Sequence, residues 1–133
     1  MTTAFTHAVP ILCVNNLDDA LAYYVQKLGF TERWRWPFFA SVGRGTATVF
    51  LCERGQGQAG TWISIFMKDV MPLYEEYQQA GAIIAETPMN FPWGHCEFLV
   101  KDIDGNFLRM TGDKTGPDSE GYEQTLRSQG TRE

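Results

Sequence analysis

The chain has 133 residues, enough for one domain or two small packed modules around a closed hydrophobic core. Hydrophobic residues make up 44% and charged residues 20%, a globular rather than a disordered composition, and the net charge of −5 leaves no basic face for a nucleic acid. No apolar run approaches membrane-spanning length, and Met1-Thr2-Thr3-Ala4-Phe5 lacks the basic and apolar regions of a signal peptide, so a cytoplasmic location without a membrane partner is expected.

From the N-terminus, His7 to Val14 reads as a strand interrupted by Pro10. Asn16 then reads as an N-cap, and Leu17, Ala20, Leu21, Tyr24 and Leu28 recur at helical spacing up to Gly29. Phe30 to Trp36 and Pro37 to Val42 read as two strands, and Gly43-Arg44-Gly45 as a turn into a further strand, Thr46 to Cys52. Glu53 to Gly60 holds three glycines and no large aliphatic residue, the composition of a linker. Thr61 to Met67 alternates like a strand, Asp69 is expected to cap a second helix, and Gly81 to stop it. Ala82 to Ala85 reads as a short strand, Glu86 to Pro92 with its two prolines as a loop, His95 to Val100 as a strand, Asp102 to Gly105 as a turn, and Asn106 to Thr111 as the last strand. The polar tail, 113–133, shows no apolar periodicity and is expected to be flexible.

The order strand, helix, three strands therefore occurs twice. Module one is expected over 5–52 and module two over 61–112, joined by the linker 53–60 in a single domain, 1–112. One helix shields one face of each sheet, so the other faces must meet each other, a partner chain or a ligand. Cys13, Cys52 and Cys96 are far apart and form no CxxC pair, which argues for free, buried thiols in a reducing compartment and against a structural zinc site.

The aromatic residues are concentrated. Trp34, Trp36, Phe38 and Phe39 fall on two neighbouring strands, and Phe50, Trp62, Phe91 and Trp93 add to them. Some of these belong to a core, but tryptophan is costly to bury completely because its N–H needs a partner, and four in so small a domain point to a lined cavity.

The duplicated plan, with Asn16-Leu17 before Tyr23-Tyr24 and Leu28-Gly29-Phe30, resembles the vicinal oxygen chelate superfamily of glyoxalases, extradiol dioxygenases and fosfomycin and bleomycin resistance proteins. The bleomycin resistance group is the most similar. Pro92-Trp93-Gly94-His95-Cys96-Glu97-Phe98 followed by Asp102-Ile103-Asp104-Gly105-Asn106 resembles that group's Trp-Gly…Glu-Phe and Asp-Pro-x-Gly-Asn signature, with Ile103 in place of the proline. Trp62 and Leu73-Tyr74 fit as well. The resemblance implies an α+β fold of two βαβββ modules in tandem, with curved mixed sheets forming a groove. It also implies a homodimer whose interface grooves sequester an antibiotic, the mechanism of antibiotic resistance in that group, with no bond broken.

Metal-dependent members of the superfamily hold a divalent ion with a His or Gln on strand one, a Glu on strand four, a His on strand five and a Glu on strand eight. Carried onto this chain, those seats fall at Val9, at Phe50 or, with the register moved by one, Val49, at Trp62 and at Arg109. None offers a lone pair to a divalent cation, so neither metal nor other cofactor is expected, and the balance is against an enzyme. His7 and His95, the latter two residues before Glu97, are the remaining candidates for a metal or acid–base pair, although a lone His is more often a hydrogen-bonded wall residue. Asp102 and Asp104 lack the later bidentate acid of a calcium loop. The expected ligand-binding residues are Trp34, Trp36, Phe38, Phe50, Trp62, Phe91, Trp93, Glu97 and Arg109, the last facing either a ligand carboxylate or Glu97. The expected ligand is a cationic, aromatic, bleomycin-like small molecule. The alternatives are a metal-dependent glyoxalase, dioxygenase or thiol-transferase-type enzyme of the same fold, and a regulatory subunit whose groove holds a metabolite.

Overall fold

A computed structural model describes residues 2–115. The elements are β1 (Ile11–Val14), α1 (Leu17–Gln26), β2 (Thr31–Trp36), β3 (Phe39–Arg44), β4 (Ala47–Glu53), β5 (Trp62–Phe66), α2 (Met71–Ala80), β6 (Ile83–Asn90), β7 (His95–Lys101) and β8 (Phe107–Asp113). One four-stranded sheet has the order β1-β4-β3-β2 and the other β5-β8-β7-β6, the same arrangement repeated four strands later. The architecture is the tandem α+β plan of two helices and two mixed sheets. No described helix is long and apolar enough to cross a membrane.

By packing, the described residues divide into two compact units, one running through Ile63 and including Lys101–Phe107, the other comprising Ser64–Val100 and the described residues from Leu108. The turn before the last strand thus packs with the first unit.

In the first unit, Asn16 caps α1 as its spacing predicts, its side chain accepting the Asp19 N–H at 2.9 Å. The helix buries Leu17, Ala20, Leu21, Tyr23 and Tyr24. β1 and β4 pair in parallel, and β3 pairs antiparallel with both β4 and β2. This register sets Leu12, Leu51 and Ala40 in one row and Val49 and Val42 in another, all fully buried on the helix side. Val9 and His7 fall before β1 rather than on it, because the strand begins only after Pro10, whose carbonyl still accepts the Phe50 N–H at 3.0 Å.

The turn 102–106 is built around Asp102, which is 1% exposed. Its carboxylate accepts the Tyr24 hydroxyl at 2.8 Å, the backbone N–H groups of Asp104 and Asn106 at 2.8 and 2.9 Å, and Asn106 Nδ2 at 3.0 Å. Asn106 Nδ2 also donates to the Cys13 carbonyl at 3.1 Å, and Asn106 Oδ1 accepts the Thr61 N–H at 3.2 Å. Burial and the neighbouring Asp102 carboxylate raise the Tyr24 pKa well above its ordinary value.

In the second unit the expectation for α2 needs correcting. Its N-cap is Val70, with no side-chain cap, while Asp69 Oδ1 accepts the Met71 N–H at 3.0 Å from one position earlier. Pro72 supplies the preset φ of the first turn, and Gly81, at φ 80°, closes the helix as expected. Tyr74 and Tyr77 both set their rings edge-on to Phe98 of β7. The loop expected over Glu86 to Pro92 is largely strand, since β6 runs unbroken from Ile83 to Asn90. β6 lies at a sheet edge, where Pro88 removes no hydrogen bond the sheet needs. β8 likewise extends to Asp113, past the point where the tail was expected to begin, and residues 116–133 of that tail lie outside the described residues.

Tyr24→Phe deletes a hydroxyl that satisfies a buried carboxylate, and is expected to cost about 1–3 kcal/mol in urea unfolding, with Tyr23→Phe as the comparison. Asp104 generates a pH prediction. Burial raises its pKa, outweighing the Asn15 N–H that donates to Oδ1 at 2.9 Å and lowers it, with the Asp102 and Asp19 charges adding to the rise, and Oδ2 is buried without a partner. A raised folded-state pKa means the folded protein holds the proton more tightly, so this contribution is full below the ordinary value of 3.8 and is lost as pH rises through the raised one. Asp104→Asn should therefore gain stability relative to the wild type at neutral pH, and chemical denaturation at pH 4 should show that advantage reduced.

Candidate functional site

In the first unit the sheet face away from α1 is aromatic. One row reads Ile11, Phe50, Ser41, Trp34 and the next reads Cys13, Cys52, Phe39, Trp36. A bulge makes this arrangement. Glu32 pairs with Val42 and Trp34 with Ser41, so Arg33 is an extra residue that turns Trp34 onto the open face. Arg33 donates to Thr48 Oγ1 and to the Gly45 carbonyl, each at 2.8 Å, and lies where a side chain at position 43 would be, which Gly43 permits.

Trp34 stacks on Phe39 with centroids 5.7 Å apart and 19° between planes, and packs on Phe50 at 5.2 Å, while Phe39 and Phe50 meet at 5.4 Å. Trp34 is 40% exposed, so one side of the cluster is open to solvent. The register resolves the choice between Val49 and Phe50, since Val49 faces the helix and Phe50 the aromatic cluster. Ile11, Phe39 and Ser41 belong to this face and were not in the expected set. Alternation along β3 would have found Phe39 and Ser41, but the bulge leaves no sequence mark. Trp36 and Phe38, at 70% and 65% exposed, project beyond the cluster. Trp62 stacks on Phe107 at 4.5 Å and 23°, with Lys101 Nζ lying 5.9 Å from the Phe107 centroid. None of the four tryptophans is buried.

In the second unit, Glu97 of β7 is 5% exposed and is held from two directions. Trp93 Nε1 donates to Oε2 at 2.9 Å, and Arg109 Nε lies 3.6 Å from Oε1. Arg109 Nε also donates to Ser64 Oγ at 3.2 Å. Of the two expected roles for Arg109, the Glu97 pair is the one seen. Phe91 lies flat on Trp93, with centroids 4.8 Å apart and 2° between planes. His95 meets Phe66 edge-on at 6.2 Å, and Phe66 is 68% exposed, another surface aromatic outside the expected set. His7 is exposed, its Nδ1 against Thr6 Oγ1 at 3.0 Å.

The divalent ion of the superfamily's metal-dependent members does not fit the residues present. The positions to which the resemblance carries those seats hold Val9, Phe50, Trp62 and Arg109, and among the described residues no group of three or more His, Cys, Asp or Glu is placed to hold an ion.

The family model of the Glyoxalase/Bleomycin resistance protein/Dioxygenase superfamily matches residues 4–110, and the chain belongs to that superfamily. No curated protein matches the sequence. Among solved structures, TioX from Micromonospora sp. ML1 is similar at TM-score 0.74 and 24% identity, over 83% of this chain and 100% of that one. A bleomycin resistance determinant encoded on the transposon Tn5 is similar at TM-score 0.73 and 20% identity, over 84% and 100%. The bleomycin-binding protein from bleomycin-producing Streptomyces verticillus, solved with copper(II)-bleomycin, is similar at TM-score 0.69 and 24% identity, over 85% and 100%. These likenesses establish the shared fold.

Because Arg109 is the cation nearest a nearly buried carboxylate, Arg109→Met should destabilise the chain by about 1–3 kcal/mol, less than a fully buried pair because Arg109 is partly exposed. Restoring an apolar pair with Glu97→Leu in the same chain should recover part of that loss in a double-mutant cycle of urea midpoints.

Proposed function

We propose that this protein binds and sequesters a cationic, aromatic, antibiotic-like small molecule in a groove at the interface of a homodimer, without a metal reaction centre. The observation that carries this reading is the open-sided stack of Trp34, Phe39 and Phe50. A planar ring laid on it gains dispersion and stacking without any bond being broken. The acidic charge of −5 favours a cationic guest. The exposed Trp36 and Phe38 support the reading, since exposed aromatics of this size suit an interface or a ligand better than water. In the first unit Trp62 adds a further exposed ring, stacked on Phe107; in the second unit Phe91, Trp93, Glu97 and Arg109 form a separate cluster of their own. The similar bleomycin resistance determinant and bleomycin-binding protein are the reason for testing a bleomycin-type glycopeptide first. An enzymatic reading would need a divalent ion at the four seats, and their side chains do not supply donors.

Titration with a bleomycin-type glycopeptide, followed by tryptophan fluorescence, should show saturable quenching. Trp34→Ala should weaken binding about tenfold, equivalent to about 1.4 kcal/mol, while keeping the melting transition. Equal affinity in Trp34→Ala would remove the aromatic cluster from the site. In a thermal-shift panel of cationic antibiotics and cellular metabolites, a true ligand at 100 times its dissociation constant adds about 2.7 kcal/mol of stability, and stabilisation by metabolites alone would favour the regulatory alternative.

A further inference from the structure

Cys13 and Cys52 are 39 positions apart in the sequence, yet they are direct partners in the parallel pairing of β1 with β4. Leu12 and Val14 are buried on the helix side, so Cys13 points to the other face, and Cys52 shares that face in the same row as Phe39 and Trp36. Both are free thiols. Cys52 is buried, whereas Cys13 is half-exposed and does not fit the expectation of an inert interior thiol. We infer that Cys13 and Cys52 form a two-sulfur site for a soft, thiophilic metal cation of the copper(I) or mercury(II) kind.

The spacing favours a bridged ion over a disulfide. Partners on adjacent parallel strands carry their Cβ atoms on the same side at about the strand separation, roughly 4.7–4.9 Å. A disulfide prefers Cβ atoms about 3.5–4.5 Å apart, somewhat closer than this strand separation. A cation between the two sulfurs, with metal–thiolate bonds of about 2.3 Å on each side, spans about 4.6 Å and leaves the strands in place. Two thiolates and no nitrogen or carboxylate suit a soft ion that accepts two ligands, and not the hard divalent ions of the superfamily.

The surrounding backbone lies close to the pair. Asn106 holds the Cys13 carbonyl at 3.1 Å, and Cys52 sits between β1 and β3. The loop after β4 lays two glycines over the pair. A Cβ at Gly55 would lie 3.2 Å from Cys52 Sγ, and one at Gly57 would lie 3.2 Å from the Ile11 carbonyl oxygen and 3.7 Å from Cys13 Cβ. Gly57 also has φ 77°, which other residues adopt with strain. The glycines of the linker thus give this segment its close approach to the thiols. On binding, each S–H bond breaks, two metal–sulfur bonds form and two protons pass to solvent, with no change of oxidation state.

The test is mercuric-ion titration of the reduced full-length chain in excess glutathione, read by native mass spectrometry, by the sulfur-to-metal ultraviolet band and by counting thiols left reactive after unfolding. The wild type should retain one ion per chain and protect two of its three thiols. Cys13→Ser and Cys52→Ser should each hold the ion about a hundredfold more weakly, the loss expected when a chelate becomes a single ligand, and Cys96→Ser should match the wild type. Wild type unfolded in guanidinium should lose the ion to glutathione, which decides the matter even if a variant fails to fold. Release of the ion from folded wild type as readily as from Cys13→Ser, or retention in both single variants, would overturn the inference.

Discussion

One buried carboxylate organises the first unit. Asp102 accepts four hydrogen bonds, from α1 through Tyr24 and from its own turn, and Asn106 passes the connection on to β1 at Cys13 and to the start of β5 at Thr61. A charge with 1% exposure is tolerable only when its lone pairs are satisfied, and each donor here comes from a segment far away in sequence or from the turn itself. The Asp-x-Asp-Gly-Asn segment, which as a sequence reads as a turn, is therefore a junction. It explains why Lys101–Phe107 packs with the first unit and not with the strands that flank it.

The face away from α1 has its chemistry set by alternation and by one irregularity. Alternation places Phe39, Phe50 and Trp36 on it, and the bulge at Arg33 adds Trp34. The second unit uses its equivalent β7 and β8 positions differently, for a carboxylate held by Trp93 and Arg109. The duplicated fold thus carries two unlike surfaces, one able to stack on a flat ring and one polar, in a superfamily whose metal-dependent members place ion ligands at corresponding positions. Of the two histidines weighed for acid–base and metal roles, His7 lies before β1 and His95 packs on Phe66.

Much of the fold was legible because it rests on local signals. Asn16 as N-cap, Gly81 as C-cap and the apolar spacing of α1 are written within a few residues of where they act. The misreadings turn on backbone geometry and pairing that residue type does not encode. Pro88 argues for a loop until β6 is known to be an edge strand, and Asp69 looks like the cap until Val70 adopts helical backbone angles. The site was legible in its residue types but not in its grouping. Trp34 joins Phe50 only through a bulge, and the Cys13–Cys52 pairing depends on a parallel register that no local pattern encodes. That Arg109 lies beside Glu97 is likewise a product of the fold.

The central claim is that recognition here rests on aromatic stacking and not on a divalent ion. The most direct measurement is calorimetric titration of chelator-treated protein with a panel of cationic aromatic antibiotics, repeated after adding manganese, iron(II), nickel or zinc. The account predicts saturable binding to the chelated protein, unchanged by any added ion. Binding that appears only when one equivalent of a divalent ion has been restored to the protein would contradict it.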